Sequence, residues 1–236
     1  MRGLAVSRLA AFGQRLGLAL LPARCLVCGE PGSRGQDLCG ACRTDLPFNR
    51  VACARCALPL PVAGICGACL RQPPPFTASR AVLIYRFPAD QLLPRFKFHG
   101  NLAAGRLLSQ LMAEELADAP RPQALVPLPL HPSRLRQRGY DQALELARPL
   151  ARALGLPLRT DVLRRVRATS PQSELDAASR RHNVRSAFAA RTGELPGHVA
   201  LVDDVMTTGA TLAEASRALQ RAGVARVDLW VAARAP

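Results

Sequence analysis

Val199-Ala-Leu-Val-Asp-Asp-Val-Met-Thr-Thr-Gly-Ala-Thr211 is the stretch of this sequence that decides the fold. Its apolar residues predict a strand buried on both faces, as in a parallel sheet covered by helices. Two adjacent carboxylates, Asp203 and Asp204, end the strand pattern, and a Thr/Gly-rich turn leads into a helical pattern from Leu212. Backbone N–H groups at a helix start bind phosphate, and the helix dipole strengthens that binding. Because carboxylates repel phosphate, the pair suits the hydroxyl groups of a sugar, or a cation.

The same stretch resembles the phosphoribosyl-pyrophosphate (PRPP) signature of the type I phosphoribosyltransferases. The resemblance implies that Asp203 and Asp204 form the catalytic acid pair and face the ribose 2′- and 3′-hydroxyls. The alternative interpretation is a plain strand–turn–helix junction with two solvated acids, and the combination of all its parts favours the ligand site. The residues implied to hold the 5′-phosphate are Thr207, Thr208, Gly209, Ala210 and Thr211.

Composition sets limits on the class of protein. The 236 residues are 49% hydrophobic, which excludes a wholly disordered chain and allows one sizeable domain plus a small one. No run approaches the roughly 18 apolar residues of a transmembrane helix, so we predict no membrane span. Residues 1–22 have the spacing of an amphipathic docking helix, which we favour over a signal peptide. The formal charge of +15 is almost entirely arginine, since Lys97 is the only lysine. Arginine suits both a PRPP-type ligand and DNA, so charge does not distinguish them.

The cysteines form four C-x₂-C pairs, a spacing that places two sulfurs on one side of a turn for a tetrahedral metal. Segment 23–72 is too short to bury a core of its own, so metal would supply its folding energy. We predict a double zinc ribbon there, whose two structural Zn²⁺ ions lower the formal charge of +15 to about +11. Iron, disulfides and an interleaved pairing of the cysteines stay open. The predicted ligands are Cys25, Cys28, Cys39, Cys42, Cys53, Cys56, Cys66 and Cys69.

Residues 77–236 follow three consecutive prolines and alternate between strand and helix patterns. This alternation predicts an α/β domain with a mainly parallel sheet flanked by helices. The predicted strands are residues 81–86, 124–129, 161–166, 199–205 and 226–232, and the predicted helices are residues 102–116 and 142–154.

Arginines are concentrated beside the predicted strand ends, where α/β folds bind ligands. Arg134, Arg136 and Arg138 recur at alternate positions, so an extended loop would aim them in one direction. Three such groups suit a diphosphate, whose charge Mg²⁺ would share. The polar stretch 164–185 would then be a mobile loop that closes over the site. Its candidate residues are Arg164, Arg165, Arg167, Gln172 and Arg181.

The sequence resembles the ComF family over nearly its whole length. The resemblance rests on residues 20–29, 96–100, 126–143, 180–184 and 199–211, together with Gln172 and Phe188. Members of this family are competence-associated, phosphoribosyltransferase-like proteins with an N-terminal zinc element. The resemblance implies a type I phosphoribosyltransferase-like domain that binds PRPP or a related phosphoribosyl ligand. Family members usually have Phe-Asn where this sequence has Tyr140-Asp141, so this position departs from the family pattern.

The family resemblance also implies a biological role. The protein would act in the cytoplasm in DNA uptake and natural transformation, with single-stranded DNA and a competence helicase-like protein as partners. The alternative is an active phosphoribosyltransferase in nucleotide or cofactor salvage, with an unidentified acceptor. No set of residues that would read a base is evident in the sequence. Aromatic residues make up only 4% of the chain, so extensive base stacking is not expected.

Overall fold

The computed structural model describes residues 23–33, 35–168 and 186–236. The predicted docking helix at residues 1–22 lies outside the described residues. The same is true of two candidate residues of the predicted mobile loop, Gln172 and Arg181.

The chain divides into two compact units, with the division between Leu46 and Pro47. This division falls inside the predicted ribbon segment 23–72 and separates its first four cysteines from its last four. In the first unit, Gly29 N donates a hydrogen bond to Cys25 O at 2.9 Å, which closes the first cysteine turn. Helix α1 (Gly40–Asp45) completes the described part of this unit.

The second unit begins with the other half of the ribbon, which ends in helix α2 (Gly67–Arg71). This half lies along an edge of the main sheet. Asn49 N donates to Val82 O at 2.9 Å, and Ile84 N donates to Pro47 O at 2.8 Å. The ribbon backbone therefore satisfies polar groups on a strand edge that would otherwise be open to another chain.

The strands of the second unit are β1 (Ala78–Ile84), β2 (Ala124–Pro127), β3 (Leu163–Arg165), β4 (Phe188–Ala190), β5 (His198–Met206) and β6 (Arg226–Arg234). The main sheet has the order β1-β6-β5-β2, and all of its pairings are parallel. Along β5, Val199 and Leu201 and the intervening Ala200 are all buried, so both faces of the strand are covered. The predicted parallel sheet with a doubly covered strand at residues 199–205 is confirmed.

The helices that cover the sheet are α3 (Ala89–His99), α4 (Leu102–Glu115), α5 (Pro132–Arg138), α6 (Gln142–Leu154) and α7 (Ala210–Arg221). Helix α6 packs on α4 and against β2 and β5. Leu212 and Ala215 of α7 share a buried cluster with Val199 and Leu201 of β5, and Phe188 of β4 belongs to the same cluster. The predicted α/β architecture, a parallel sheet flanked by helices, is confirmed.

Residues 132–138 form helix α5, so the prediction of an extended loop is wrong. His131 is the N-cap residue, and its Nδ1 accepts a hydrogen bond from Ser133 N at 3.3 Å. Pro132 occupies the first turn, and Gly139 ends the helix with φ of 79°. A capping side chain, an early proline and a C-terminal glycine are helix signals. These helix signals determine the local structure, whereas the alternate spacing of the three arginines had favoured an extended loop.

Two other segments differ from the prediction. Arg164 and Arg165 lie in strand β3, within the predicted strand at residues 161–166, and β3 pairs antiparallel with β4, so the mobile loop does not begin at Arg164 as predicted. Helix α3 is absent from the predicted elements because Pro94 interrupts its pattern. Proline removes one backbone hydrogen bond from a helix interior. Burial of Phe96, which is fully enclosed, offsets that loss, and its ring lies where a side chain at Gly105 of α4 would be.

Candidate ligand-binding site and zinc sites

A cavity of ≈ 600 Å³ lies at the carboxyl ends of β2 and β5, which is where α/β folds bind ligands. It brings together many of the residues that the sequence predicts. These are Asp203, Asp204, Thr207, Gly209, Ala210, Thr211, Arg134, Arg138 and Arg165. Four predicted site residues lie in the described part of the chain but do not line the cavity: Thr208, Arg136, Arg164 and Arg167.

The first turn of α7 faces the cavity through Gly209, Ala210 and Thr211. Gly209 is the N-cap residue and has φ of 74°, a conformation that favours glycine. Thr208 Oγ1 accepts a hydrogen bond from Ala210 N at 3.4 Å and so shapes the turn from outside the cavity. A helix start in this setting presents N–H groups and a positive dipole end to an anion. Its assignment to a 5′-phosphate stays a prediction.

The acid pair ends strand β5 beside this turn. Asp204 is 5% exposed, and its Oδ2 lies 3.1 Å from the Nζ of Lys97 on α3. Asp203 Oδ1 accepts a hydrogen bond from Asp204 N at 2.9 Å, and Asp204 Oδ1 accepts one from Val205 N at 2.7 Å. The backbone therefore orients both carboxylates, and the ammonium group compensates the charge of the more buried one.

The electrostatics of the pair depend on burial and on Lys97. Burial of the carboxyl, and then the negative charge of Asp204, raise the pKa of Asp203 well above its usual value. Burial alone would lower the pKa of Lys97, but the charges of Asp204 and Asp203 raise it above its usual value. Lys97 therefore stays protonated at neutral pH and is the local counter-ion of the pair.

Three arginines line the same cavity as the acid pair. Arg134 and Arg138 are four residues apart on α5 and so share one face of that helix, whereas Arg136 is exposed elsewhere. Arg165 enters from β3, and its guanidinium stacks 5.4 Å from the ring centroid of Phe188. Burial, followed by the charge of Arg134, lowers the pKa of Arg165 to about 10. Converging guanidinium groups repel one another, and an anionic ligand would relieve that repulsion.

The departure from the family pattern at Tyr140-Asp141 has a structural explanation. Asp141 is the N-cap residue of α6, and its Oδ1 accepts a hydrogen bond from Leu144 N at 3.1 Å. Its other oxygen accepts one from Leu130 N, also at 3.1 Å. Asparagine and aspartate both cap helices with a side-chain oxygen, so the carboxylate serves the same structural purpose. The Tyr140 hydroxyl donates to the carbonyl of Phe96, which ties this junction to α3.

Lys97 is a site residue that the sequence-based prediction lacks. The feature of the sequence that could have identified it is that Lys97 is the only lysine, whereas all the other permanently charged basic residues are arginines. Lysine is a compact point charge, whereas arginine is a planar fork. The 3.1 Å contact with Asp204 spans more than a hundred residues of sequence, and no local pattern predicts such a pairing.

Each cysteine quartet brings its four sulfurs within 4.8 Å of one another. The Sγ atoms of Cys28 and Cys39 are 3.6 Å apart, and those of Cys56 and Cys66 are 3.7 Å apart. Tetrahedral zinc with Zn–S bonds of about 2.3 Å places its sulfurs roughly 3.8 Å apart, so both quartets fit zinc. Four protein ligands leave no open position for water, so these sites are structural. The quartets are consecutive, Cys25–Cys42 and Cys53–Cys69, which decides between the two pairings that the sequence left open.

Known proteins match both parts of the chain. The double zinc ribbon domain family matches residues 17–70, and the phosphoribosyl transferase domain family matches residues 141–236. Competence protein F of Haemophilus influenzae is 36% identical over 226 residues, which cover 90% of this chain and 97% of that protein. DNA utilization protein YhgH of Escherichia coli K12 is 32% identical over 222 residues, which cover 91% and 98%. Among solved structures, glutamine PRPP amidotransferase from B. subtilis matches with a TM-score of 0.37 and 23% identity, over 53% of this chain and 25% of that chain.

The parallel sheet, the cavity at its carboxyl edge and the two cysteine quartets define a phosphoribosyltransferase-fold protein with an N-terminal double zinc ribbon. The sequence similarity to competence protein F of Haemophilus influenzae extends over almost the full length of both chains. The chain belongs to the competence protein F (ComF) family.

In the described part of the chain, none of the helices has the length and apolar character that crossing a membrane requires.

Proposed function

We propose that the cavity binds a phosphoribosyl ligand such as PRPP. One observation carries the proposal: an adjacent acid pair, a helix start that suits an anion and three arginines line the same cavity. A phosphoribosyl diphosphate has hydroxyls, a terminal phosphate and a diphosphate in one small molecule. Asp203 and Asp204 would accept hydrogen bonds from the ribose hydroxyls, the first turn of α7 would hold the 5′-phosphate, and the arginines would hold the diphosphate.

Mg²⁺ is part of this proposal as the partner of the diphosphate. Asp203 lies beside a second carboxylate and makes no ion pair with another described residue, so a cation near it would relieve a concentration of negative charge. Oxygen ligands of this kind suit Mg²⁺. When bound, the ion supplies charge neutralisation for the diphosphate.

We further propose that the protein acts in DNA uptake or DNA utilisation, as the names of its relatives indicate for them. The net charge of +15 favours a polyanionic partner. Single-stranded DNA, a helicase-like protein and a cytoplasmic location belong to this proposal. Affinity for a single strand that falls steeply with salt would support direct handling of DNA, and affinity that is absent at low salt would contradict it.

An active phosphoribosyltransferase is the second candidate, and the intact acid pair favours it. In such a reaction an acceptor forms a bond to C1 of the ribose as the C1–O bond to the diphosphate breaks. Pyrophosphate release that depends on an added acceptor would support this candidate. Release at the same rate without any acceptor would indicate hydrolysis instead.

The arginine assignment can be tested with two variants of one helix. We expect Arg134→Ala to weaken the binding of PRPP with Mg²⁺ by about 10- to 100-fold, because a charged hydrogen bond to the diphosphate is lost. Calorimetric titration of the zinc-loaded protein measures this change. Arg136→Ala is the matched control, because Arg136 is exposed and does not line the cavity. Equal losses in both variants would contradict the assignment of Arg134.

Binding of the phosphoribosyl ligand should depend on pH through the pKa of Asp203, which the charge of Lys97 acts to lower. Carboxylates accept hydrogen bonds from ribose hydroxyls best when ionised, so affinity should fall as the pH drops through the raised pKa of Asp203. Because Lys97 acts to lower that pKa, Lys97→Met should raise it further and move the loss of affinity to higher pH. Ribose 5-phosphate affinity measured across pH in wild type, Lys97→Met and Lys97→Arg tests this. A midpoint that is unchanged or lower in Lys97→Met would contradict the role of the ammonium.

A further inference from the structure

An aromatic ring stands at the rim of the cavity with most of its surface exposed. Phe98 lies in the last turn of α3, lines the cavity and is 66% exposed. The guanidinium of Arg138 lies 5.6 Å from the centroid of this ring. A phenyl ring held beside a cation and exposed in this way is a surface on which a planar group can stack.

A buried amide lies next to this aromatic surface. Arg138 Nη1 donates a hydrogen bond to Gln142 Oε1 at 3.1 Å, which assigns the oxygen end of the amide to the arginine. Gln142 lines the cavity and is only 3% exposed, and its Nε2 has no hydrogen-bond partner among the described residues. A buried amide nitrogen without a partner is costly. An acceptor atom of a ligand would satisfy it.

The cavity that Phe98 shares with the acid pair indicates which kind of ligand group would stack on its ring. Phe98 directly follows Lys97, whose ammonium contacts Asp204. Phe98 and the acid pair line the same cavity, so a ring attached to a ribose whose hydroxyls face the acid pair would occupy the cavity that Phe98 borders. Planarity, a stacking face and an acceptor atom for an amide donor are together the properties of a nucleobase.

We propose that Phe98, Arg138 and Gln142 form a subsite for a nucleobase carried on a 5′-phosphorylated ribose. The ligand class is therefore a ribonucleoside 5′-monophosphate, with an acceptor edge of the base toward Gln142. This inference rests on the proposed function, because the sugar and phosphate are what bring the base to this rim. It also supplies the base-binding residues that the sequence pattern does not show.

Calorimetric titration of the zinc-loaded full chain with adenosine 5′-monophosphate and with ribose 5-phosphate tests the subsite. Stacking on an aromatic side chain is worth about 1–3 kcal/mol, so the nucleotide should bind about 5- to 150-fold more tightly than the sugar phosphate. Phe98→Leu should remove most of this difference and leave the affinity for ribose 5-phosphate close to that of wild type. Phe87→Leu is the matched control, because Phe87 is 64% exposed and does not line the cavity.

The outcomes separate this inference from the proposed function. Equal affinity of wild type for the two ligands, or equal effects of Phe98→Leu and Phe87→Leu, would overturn the base subsite and leave the phosphoribosyl site standing. Absence of binding by both ligands to folded wild type would overturn the phosphoribosyl site, and the base subsite with it.

Discussion

Cys56→Ser is expected to reduce the zinc content from two ions per chain to about one and to lower the thermal midpoint of the second unit by roughly 10 °C or more. The reason is that structural zinc contributes on the order of 10 kcal/mol to the folding of such ribbons. Only part of that free energy needs to be lost to produce a shift of this size, since 1 kcal/mol corresponds to about 2–4 °C in a domain of this length.

The second quartet is joined to the main sheet by its backbone. Arg234 Nε, at the end of β6, donates to Cys56 O at 3.1 Å, and Ser79 N of β1 donates to Ala54 O at 3.2 Å. Loss of the metal would release the turn that presents these carbonyl groups. The strand edge it covers would then be exposed, so the effect should extend beyond the ribbon.

Cys28→Ser provides the matched control. It removes one ligand from the first quartet, which belongs to the compact unit before Pro47. We expect the same loss of about one zinc ion but little change in the main unfolding transition, measured by calorimetry beside metal analysis. A zinc content of two in either variant, or equal lowering of the main transition in both, would contradict this account of the second quartet.

Asp203→Asn/Asp204→Asn is expected to lower the affinity for PRPP by about 100-fold or more, because hydrogen bonds to charged acceptors are worth about 1.5–3 kcal/mol each. The amide oxygens retain the shape of the carboxylates and can accept weaker bonds. Calorimetric titration with PRPP and Mg²⁺ measures the loss. Wild-type affinity in the double variant would show that the acid pair does not contact the ligand.

Asp203→Asn alone separates binding from stability. The pKa of Asp203 is raised in the folded protein, so its charge is less favourable there than in the unfolded chain. Such a group stabilises the fold below its unfolded pKa, and that contribution is lost as the pH rises through the folded pKa. At neutral pH the neutral variant should therefore unfold at a temperature equal to or above that of wild type, while it binds PRPP less tightly. A lower midpoint would mean that loss of binding reflects damage to the fold.

The parts of the fold that the sequence predicts well are those with strong local patterns. The apolar run of β5, the helix from Gln142 to Leu154 and the cysteine pairs each depend on residues close together in the chain. Helix α3 is harder to predict because Pro94 breaks its pattern, and burial of Leu92, Leu93 and Phe96 stabilises it through tertiary packing.

The site is less predictable than the fold because its residues come from distant segments. The alternation of arginines suggested that Arg134, Arg136 and Arg138 point the same way, but a helix places only Arg134 and Arg138 on the cavity side. Arg165 reaches the cavity because β3 pairs with β4, a long-range pairing. The contact of Lys97 with Asp204 is likewise a consequence of tertiary structure.

The most direct test of the central claim is a crystal structure of the zinc-loaded protein grown with saturating PRPP and Mg²⁺. We expect the ribose at Asp203 and Asp204, the 5′-phosphate at the first turn of α7, and the diphosphate toward Arg134, Arg138 and Arg165. A ligand bound elsewhere on the protein, with the Lys97–Asp204 pair intact and the cavity filled only by solvent, would contradict it.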